Sequence, residues 1–184
     1  MSLEIRAGKV VSVNVGRPHT FTVRDEIIVT SIFKDPVKGR VRVDALNIEG
    51  DEQSDLTVHG GIKKAVYAYP SEHYALWREE LPGAALEWGA FGENLTIEGL
   101  LEDTTCIGDR LRIGTAELVV TQPREPCYKL AYKFGREDII KRFVKSGRSG
   151  FYLSVAKEGD VGAGDAIERL SRPAGAPTVA DILG

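Results

Sequence analysis

The sequence predicts a mainly β protein built from short strands and tight turns. Twenty of the 184 residues are glycine, which exceeds the typical share of about 7% and provides for many turns. Residues 8–15 and 26–33 are rich in β-branched side chains, as strands prefer. Long segments with apolar residues at helical spacing are few. Together these observations favour many short strands over a bundle of helices.

Further strand patterns occur along the rest of the chain. Val41 and Val43 alternate with charged residues, which is typical of a half-buried strand. Residues 108–121 have the pattern of a hairpin, with a glycine at the turn. Residues 151–155 and 165–170 predict two more short strands.

Three helices are also predicted. The first covers residues 71–81 and has Ser71 as its N-cap. The second covers residues 136–147, where acids come first, bases follow and Gly147 ends the helix. A short last helix begins after Thr178. The apolar residues that mark the buried sides are Tyr74, Leu76, Trp77 and Leu81 in the first helix, and Ile139, Ile140, Phe143 and Val144 in the second.

We expect one folded domain over residues 1–172, followed by a short tail over residues 173–184. A chain of this length typically forms one domain. The segment 171–177 contains two prolines and a glycine, which is typical of a tether. The last predicted helix lies in the tail.

Composition excludes several classes of protein. A net charge of −3 argues against a nucleic-acid polymer as partner. No apolar run approaches the ~20 residues that span a bilayer, and the first ten residues lack the apolar core of a signal peptide. Two cysteines are too few for a disulfide scaffold or for an iron–sulfur cluster held within one chain. We therefore expect a cytoplasmic protein with free thiols and no membrane partner.

The segment Gln122–Lys129 carries the most informative chemistry. Arg124 and Lys129 flank Cys127, and nearby cations favour the thiolate, which is the nucleophile and the metal ligand. Two prolines hold the backbone extended, and an extended segment would place Cys127 and Lys129 on the same face. The alternative is that Cys127 is a small buried hydrophobic residue. The local residues alone leave both interpretations open.

Charge is unevenly distributed around this cysteine. Between residues 124 and 148 eight basic residues stand against three acidic ones, which gives +5 locally and −8 over the rest of the chain. Such a basic segment suits an anionic ligand such as a phosphate. The alternative is a solvated helix face, and it fits Lys141, Arg142 and Lys145 well.

Three glycine-containing turns are further candidates. His59 precedes Gly60 and Gly61, where the backbone can approach a ligand closely and the imidazole can donate to it. Asn94 follows a glycine-rich turn, and its amide can fix the edge of a heterocycle. Taken alone, each of these segments is better explained by ordinary turn formation. Residues 50–53 have the pattern of a turn that carries two acidic residues. The chain has three histidines, which argues against a multi-histidine metal site.

Several of these segments, taken in order, resemble the MOSC domain, named after the C-terminal domain of molybdenum cofactor sulfurases. They are VHGG, YPSEHYALW, FGENL, QPREPCYKL and GFYLSV. The resemblance covers roughly residues 8 to 172 and is strongest to the YiiM-like branch. It implies a MOSC-type β-barrel with a few short peripheral helices.

The same resemblance implies a cofactor and its ligands. The cofactor is the molybdenum cofactor, molybdopterin carrying molybdenum, and Cys127 is the implied metal ligand and catalytic residue. Pyridoxal phosphate binding is a further association of the family. The residues expected to hold the cofactor are His59, Gly61, Asn94, Arg124, Lys129 and Arg148.

The activity implied is reduction of N-hydroxylated compounds, such as N-hydroxylated purine base analogues. Because the chain has too few cysteines for its own iron–sulfur cluster, the electrons would come from a separate donor protein. A second copy of the chain is a further candidate partner. Two alternatives remain: a carrier or sulfur-transfer protein that binds the cofactor without turnover, and a thiol-dependent anion-binding module without metal.

Overall fold

The structure is a computed structural model that describes residues 5–53 and 60–184. Within these ranges it contains twelve strands, four α-helices and a 3-10 turn over Ile62–Lys64. The strands are β1 Ile5–Val15, β2 His19–Val23, β3 Glu26–Thr30, β4 Asp35–Pro36, β5 Arg40–Val43, β6 Val66–Pro70, β7 Leu95–Glu98, β8 Arg110–Ile113, β9 Ala116–Pro123, β10 Phe151–Lys157, β11 Gly159–Gly162 and β12 Ala166–Ser171. The helices are α1 Glu72–Glu80, α2 Tyr128–Phe134, α3 Ile139–Ser146 and α4 Val179–Leu183.

Seven of these strands close into a barrel, which confirms the predicted fold class. Around the ring the order is β1, β12, β8, β9, β10, β6 and β7, and β7 pairs again with β1. Neighbours are antiparallel except for β6 and β7, which run parallel. Closure leaves none of the seven strands with an unpaired edge.

The barrel interior is filled by alternate side chains of its strands. In β8 and β9 every second residue points inward, and Leu111, Ile113 and Leu118 are almost completely buried. The wall of the barrel also needs glycine where strands approach closely. A Cβ on Gly8 would lie 2.0 Å from the carbonyl oxygen of Glu98, so β1 passes β7 at a position open only to glycine.

A second, aromatic core lies between the barrel and helices α1 to α3. Trp77 donates from Nε1 to the hydroxyl of Tyr69 at 2.7 Å, and its ring stacks on Phe143 at a centroid distance of 6.2 Å. Two residues predicted to be buried in these helices are exposed: Leu76 is 46% exposed and Val144 is 64% exposed. Each helix buries a narrower stripe than the sequence pattern indicated.

The helix ends agree with the predictions at two of three caps. Ser71 precedes α1 in helical backbone geometry and makes no side-chain cap hydrogen bond, so the predicted cap at Ser71 is wrong. Gly147 ends α3 in the left-handed conformation, as predicted. Thr178 caps α4 in a reciprocal capping box with Asp181.

The tail closes one end of the barrel. Its backbone bonds to the segment before β8, where Ile107 N donates to Pro177 O at 2.9 Å and Val179 N donates to Thr105 O at 2.8 Å. The side chain of Val179 is fully buried in the barrel core. None of the helices in the described ranges is long and apolar enough to cross a bilayer.

Strands β2 and β3 form a hairpin outside the barrel. It turns at Arg24 and Asp25, both of which have positive φ. The strand predicted over residues 26–33 is shorter in the structure, where β3 ends at Thr30. The chain then turns, and residues 31–34 enter the pocket described next.

Candidate functional site

An open pocket lies where β9 leads into α2. Its empty space is about 590 Å³, including open solvent at the mouth. Connecting segments supply most of the lining residues, and β6 and β10 supply two tyrosines. We call it the Cys127 pocket. The lining residues used below are Ser31, Lys34, Asp51, Lys64, Tyr67, Asn94, Arg124, Cys127, Lys129 and Tyr152.

Cys127 stands at the start of α2. Its backbone is extended (φ −115°, ψ 170°), its thiol is free, and the helix begins at the next residue. The prediction of extended backbone through Lys129 is therefore wrong, because Pro126 restrains only the chain before it. The first helical turn still brings Lys129 into the same pocket, where it is buried.

Arg124 supplies a buried cation without a full set of partners. Its guanidinium lies 5.0 Å from the ring centroid of Tyr67 and 5.3 Å from that of Phe143. Its Nη1 is buried and has no hydrogen-bond partner among the described residues, and the same is true of Ser31 Oγ. Buried polar atoms are nearly always paired in folded proteins. Two such atoms in one pocket indicate a polar or anionic ligand.

A buried ion pair forms another wall of the pocket. Lys34 Nζ donates to Asp51 Oδ1 at 2.5 Å, and both side chains are more than 90% buried. Burial lowers the pKa of Lys34, and the Asp51 carboxylate opposes that shift. Gly16 N also donates to Asp51 Oδ1, at 2.8 Å. The pair therefore holds residues 31–34 against the segment that carries Asp51.

Asn94 lies in the pocket with its amide already engaged. Its Nδ2 donates to Asp51 Oδ2 at 2.9 Å and more weakly to Asn14 O at 3.4 Å. Its Oδ1 accepts from Tyr67 N at 3.0 Å. These bonds use the groups expected to bind a heterocycle. The structure indicates that Asn94 positions Asp51 and Tyr67.

Cations and phenols dominate the remaining lining. Lys64 lies 5.5 Å from the ring centroid of Tyr152. Burial raises the pKa of Tyr67 and of Tyr152, so both phenols stay protonated near neutral pH. The Tyr67 hydroxyl already donates to Ser149 O at 2.7 Å, whereas the Tyr152 hydroxyl can donate to a ligand. With Lys34, Lys64, Arg124 and Lys129 against Asp51, the pocket is positively charged.

The basic segment of residues 124–148 divides into parts with different roles. Arg124 and Lys129 line the pocket. Lys133 is internal, where its Nζ donates to Ile32 O at 2.9 Å and to Gly89 O at 2.8 Å. Lys141, Arg142 and Lys145 are exposed, as the solvated-face alternative predicted.

Two other predicted residues, Gly61 and Arg148, are not among the described residues that line the pocket. Gly61 precedes the 3-10 turn whose last residue, Lys64, does line it. Arg148 lies over the ring of Trp77 at 4.3 Å and forms an ion pair with Glu80. His59 lies outside the described residues.

Of the ten lining residues named above, sequence reasoning missed six: Ser31, Lys34, Asp51, Lys64, Tyr67 and Tyr152. The acidic turn at residues 50–53 was the only signal for any of them. In the described part of the chain no group of three or more His, Cys, Asp or Glu side chains can hold a metal ion. A metal bound at Cys127 would need most of its other ligands from a cofactor.

The closed barrel and the cationic pocket around a free thiol define the class of protein. A model of the MOSC domain matches residues 55–168. The chain belongs to the MOSC domain family. Membership associates it with the molybdenum cofactor, whereas nothing in the comparisons supports pyridoxal phosphate binding.

Within this family the chain is similar to proteins called YiiM. The crystal structure of YiiM from Geobacillus stearothermophilus superimposes with a TM-score of 0.79 at 39% identity and covers 96% of this chain and 82% of that one. YflK of Bacillus subtilis is 47% identical over 163 residues, which are 89% of this chain and 73% of YflK. A Gibberella moniliformis protein named Reductase is 34% identical over 93% of this chain, which is 29% of that protein.

Proposed function

We propose that this protein binds the molybdenum cofactor in the Cys127 pocket and reduces N-hydroxylated compounds with electrons from a separate protein. One observation carries the proposal: the Cys127 thiol shares a cationic pocket with two buried polar atoms, Ser31 Oγ and Arg124 Nη1, that lack partners in the described ranges. The similarity to a protein named Reductase supports a redox role. The two cysteines are free thiols, which fits a reducing compartment such as the cytoplasm.

The residues of the pocket fit the chemistry of this cofactor. A thiolate is the soft ligand that suits a metal already held through sulfur. Arg124 and Lys129 offer cations for the phosphate of the pterin, and Ser31 offers a hydroxyl. Cys127 would hold the metal, and these three residues would hold the anionic part. Arg148 lies outside the pocket lining, where it pairs with Glu80 and lies over Trp77, and its buried Nη1 has no partner among the described residues.

The proposed reaction breaks an N–O bond and forms an N–H bond. Reduction of R–NHOH takes up two electrons and two protons and yields R–NH₂ and water. When bound, the cofactor would accept the oxygen atom and carry out the two-electron reduction. Lys34 Nζ holds a proton inside the pocket, and burial lowers its pKa so that the proton is given up more readily. Asp51 Oδ1 keeps this ammonium in place.

The number of cysteines in the chain indicates a separate electron donor. Two free cysteines are too few to ligate an iron–sulfur cluster. Electrons must therefore arrive from outside. We propose a separate redox protein as the physiological donor, for which a chemical reductant can substitute in an assay.

The test combines metal content with turnover. Protein made in a host with intact pterin synthesis should contain about one molybdenum per chain, and it should reduce an N-hydroxylated purine with a chemical reductant. Cys127→Ala should lose both properties while its circular dichroism spectrum is unchanged. Cys106→Ser is the matched control, since Cys106 is buried beside Asp109 and away from the pocket, and it should keep both.

Three results would contradict parts of this proposal. Wild-type protein without molybdenum would favour an anion-binding module. Molybdenum without turnover of any N-hydroxylated compound tested would favour a carrier. Full metal content and full turnover in Cys127→Ala would overturn the assignment of the site.

A further inference from the structure

A second cavity opens at the other end of the barrel. Its volume is about 570 Å³ including the mouth, and we call it the basal cavity. It lies where the start of β1 meets the end of β12 and the loop after β7. Arginines and apolar side chains line most of it. The residues used below are Ile5, Arg6, Leu100, Asp109, Arg169 and Arg172.

The two cavities lie at opposite ends of the barrel. Strand β1 begins at Ile5, in the basal cavity, and runs toward Gly16, which bonds to Asp51 of the Cys127 pocket. Ten residues of extended strand span about 30 Å at roughly 3.3 Å per residue. A ligand in the basal cavity therefore does not touch the Cys127 pocket.

The basal cavity carries more positive than negative charge. Its one acid, Asp109, is 1% exposed, and both of its oxygens are bound by Arg172, at 2.7 Å from Nε and 2.6 Å from Nη2. Arg6 and Arg169 form no ion pair with any residue that the structure describes. Within the described ranges these two guanidinium groups thus have no ion-pair partner, and Glu168, which lies opposite Arg6 in the β1–β12 pair, forms its ion pair with Arg112.

Neighbouring acids on the same strands do not neutralise these arginines. Glu168 precedes Arg169 in β12, and it pairs with Arg112 at 3.4 Å. Glu98 ends β7, and it pairs with Lys9 at 3.2 Å. The surplus charge of the basal cavity is therefore available to a ligand.

We propose that the basal cavity is a second anion site that binds the phosphate group of a small molecule. Guanidinium groups match phosphate oxygens with paired, charge-assisted hydrogen bonds. Ile5 and Leu100 add an apolar wall that a bare phosphate would not contact through apolar groups. These features favour a phosphate ester over the inorganic ion.

Titration of the full chain with three probes tests this site. Adenosine monophosphate, inorganic phosphate and adenosine are added separately, and backbone amide shifts are followed by NMR. Adenosine monophosphate should shift the amides of Thr105 and Arg169 in addition to any shift of Gly92 and Cys127, which line the other cationic pocket. Tighter binding of inorganic phosphate would instead identify the free ion as the ligand, whereas equal binding of adenosine would overturn the anion site.

Variants locate the binding charges. Arg6→Gln and Arg169→Gln should each weaken binding of the tighter phosphate probe about tenfold or more, as expected for loss of a charge-assisted hydrogen bond. Arg24→Gln is the matched control, because Arg24 is exposed on the β2–β3 hairpin, and its affinity should equal that of the wild type. Unchanged affinity in both cavity variants, or shifts confined to the Cys127 pocket, would overturn the proposal. None of these readouts depends on molybdenum or on turnover.

Discussion

Replacing Arg124 with methionine separates a role in binding from a role in folding. The buried Nη1 lacks a partner in the described ranges, and an unpaired buried donor costs about 1–3 kcal/mol. Against this, the contacts over Tyr67 and Phe143 each stabilise by about 0.5–2 kcal/mol. Because the two contributions nearly cancel, Arg124→Met should change the free energy of unfolding by less than about 1 kcal/mol.

Arg172 is a matched arginine for which the opposite result is expected. It binds both oxygens of Asp109, and that carboxylate is fully buried. Arg172→Met leaves a buried charge without its cation. The expected loss is about 3 kcal/mol, the lower end of the range for buried pairs, since the side chain of Arg172 is 35% exposed.

Urea denaturation and molybdenum content measure the two effects separately. Arg124→Met should keep its unfolding midpoint and lose most of its molybdenum, whereas Arg172→Met should unfold much earlier. If Arg124→Met instead unfolds as early as Arg172→Met and the folded fraction keeps its molybdenum, Arg124 is a structural residue. The reasoning from its unpaired Nη1 would then be refuted.

Three further changes test the site and the aromatic core. Asp51→Asn leaves Lys34 buried without a carboxylate and should cost about 3 kcal/mol in urea denaturation; a loss below about 1 kcal/mol would show that the pair is not a structural link. Burial lowers the pKa of Lys133 to about 8. Between that value and the unfolded pKa only the unfolded chain holds the proton, so stability should rise with pH over this window, by at most about 3 kcal/mol. Lys133→Met should lack this rise relative to the wild type, and equal pH profiles would contradict the assignment. Phe143→Ala should cost about 3–5 kcal/mol, whereas Val144→Ser, at the exposed neighbour, should stay within about 0.5 kcal/mol; similar losses would place the aromatic core elsewhere.

Most of the barrel follows from local sequence patterns, and two strands that escaped prediction did so for different reasons. All five residues of β6 are buried, because one face lines the barrel and the other lies under the helices. The segment therefore lacks the alternation that marks a half-buried strand. Strand β11 escaped because glycine stands at both of its ends and indicates a turn.

Apart from Asn94, the predicted lining residues are neighbours in sequence. Arg124, Cys127 and Lys129 lie within six residues, so their shared chemistry is visible before folding. Lys34 and Asp51 reach the same pocket only because the loops that carry them fold over one end of the barrel. Contacts between segments that are distant in the chain produce no periodic pattern in the sequence.

Closure of the ring between β1 and β12 sets the order of events during synthesis. Ile5 pairs with Arg169, so the first barrel strand to be synthesised cannot complete its pairing until the last barrel strand has been made. Pairing over so long a separation is slow, since the entropy of closing the loop must be overcome before the contacts form. Until then β1 lacks its final partner and is exposed to pairing with other chains.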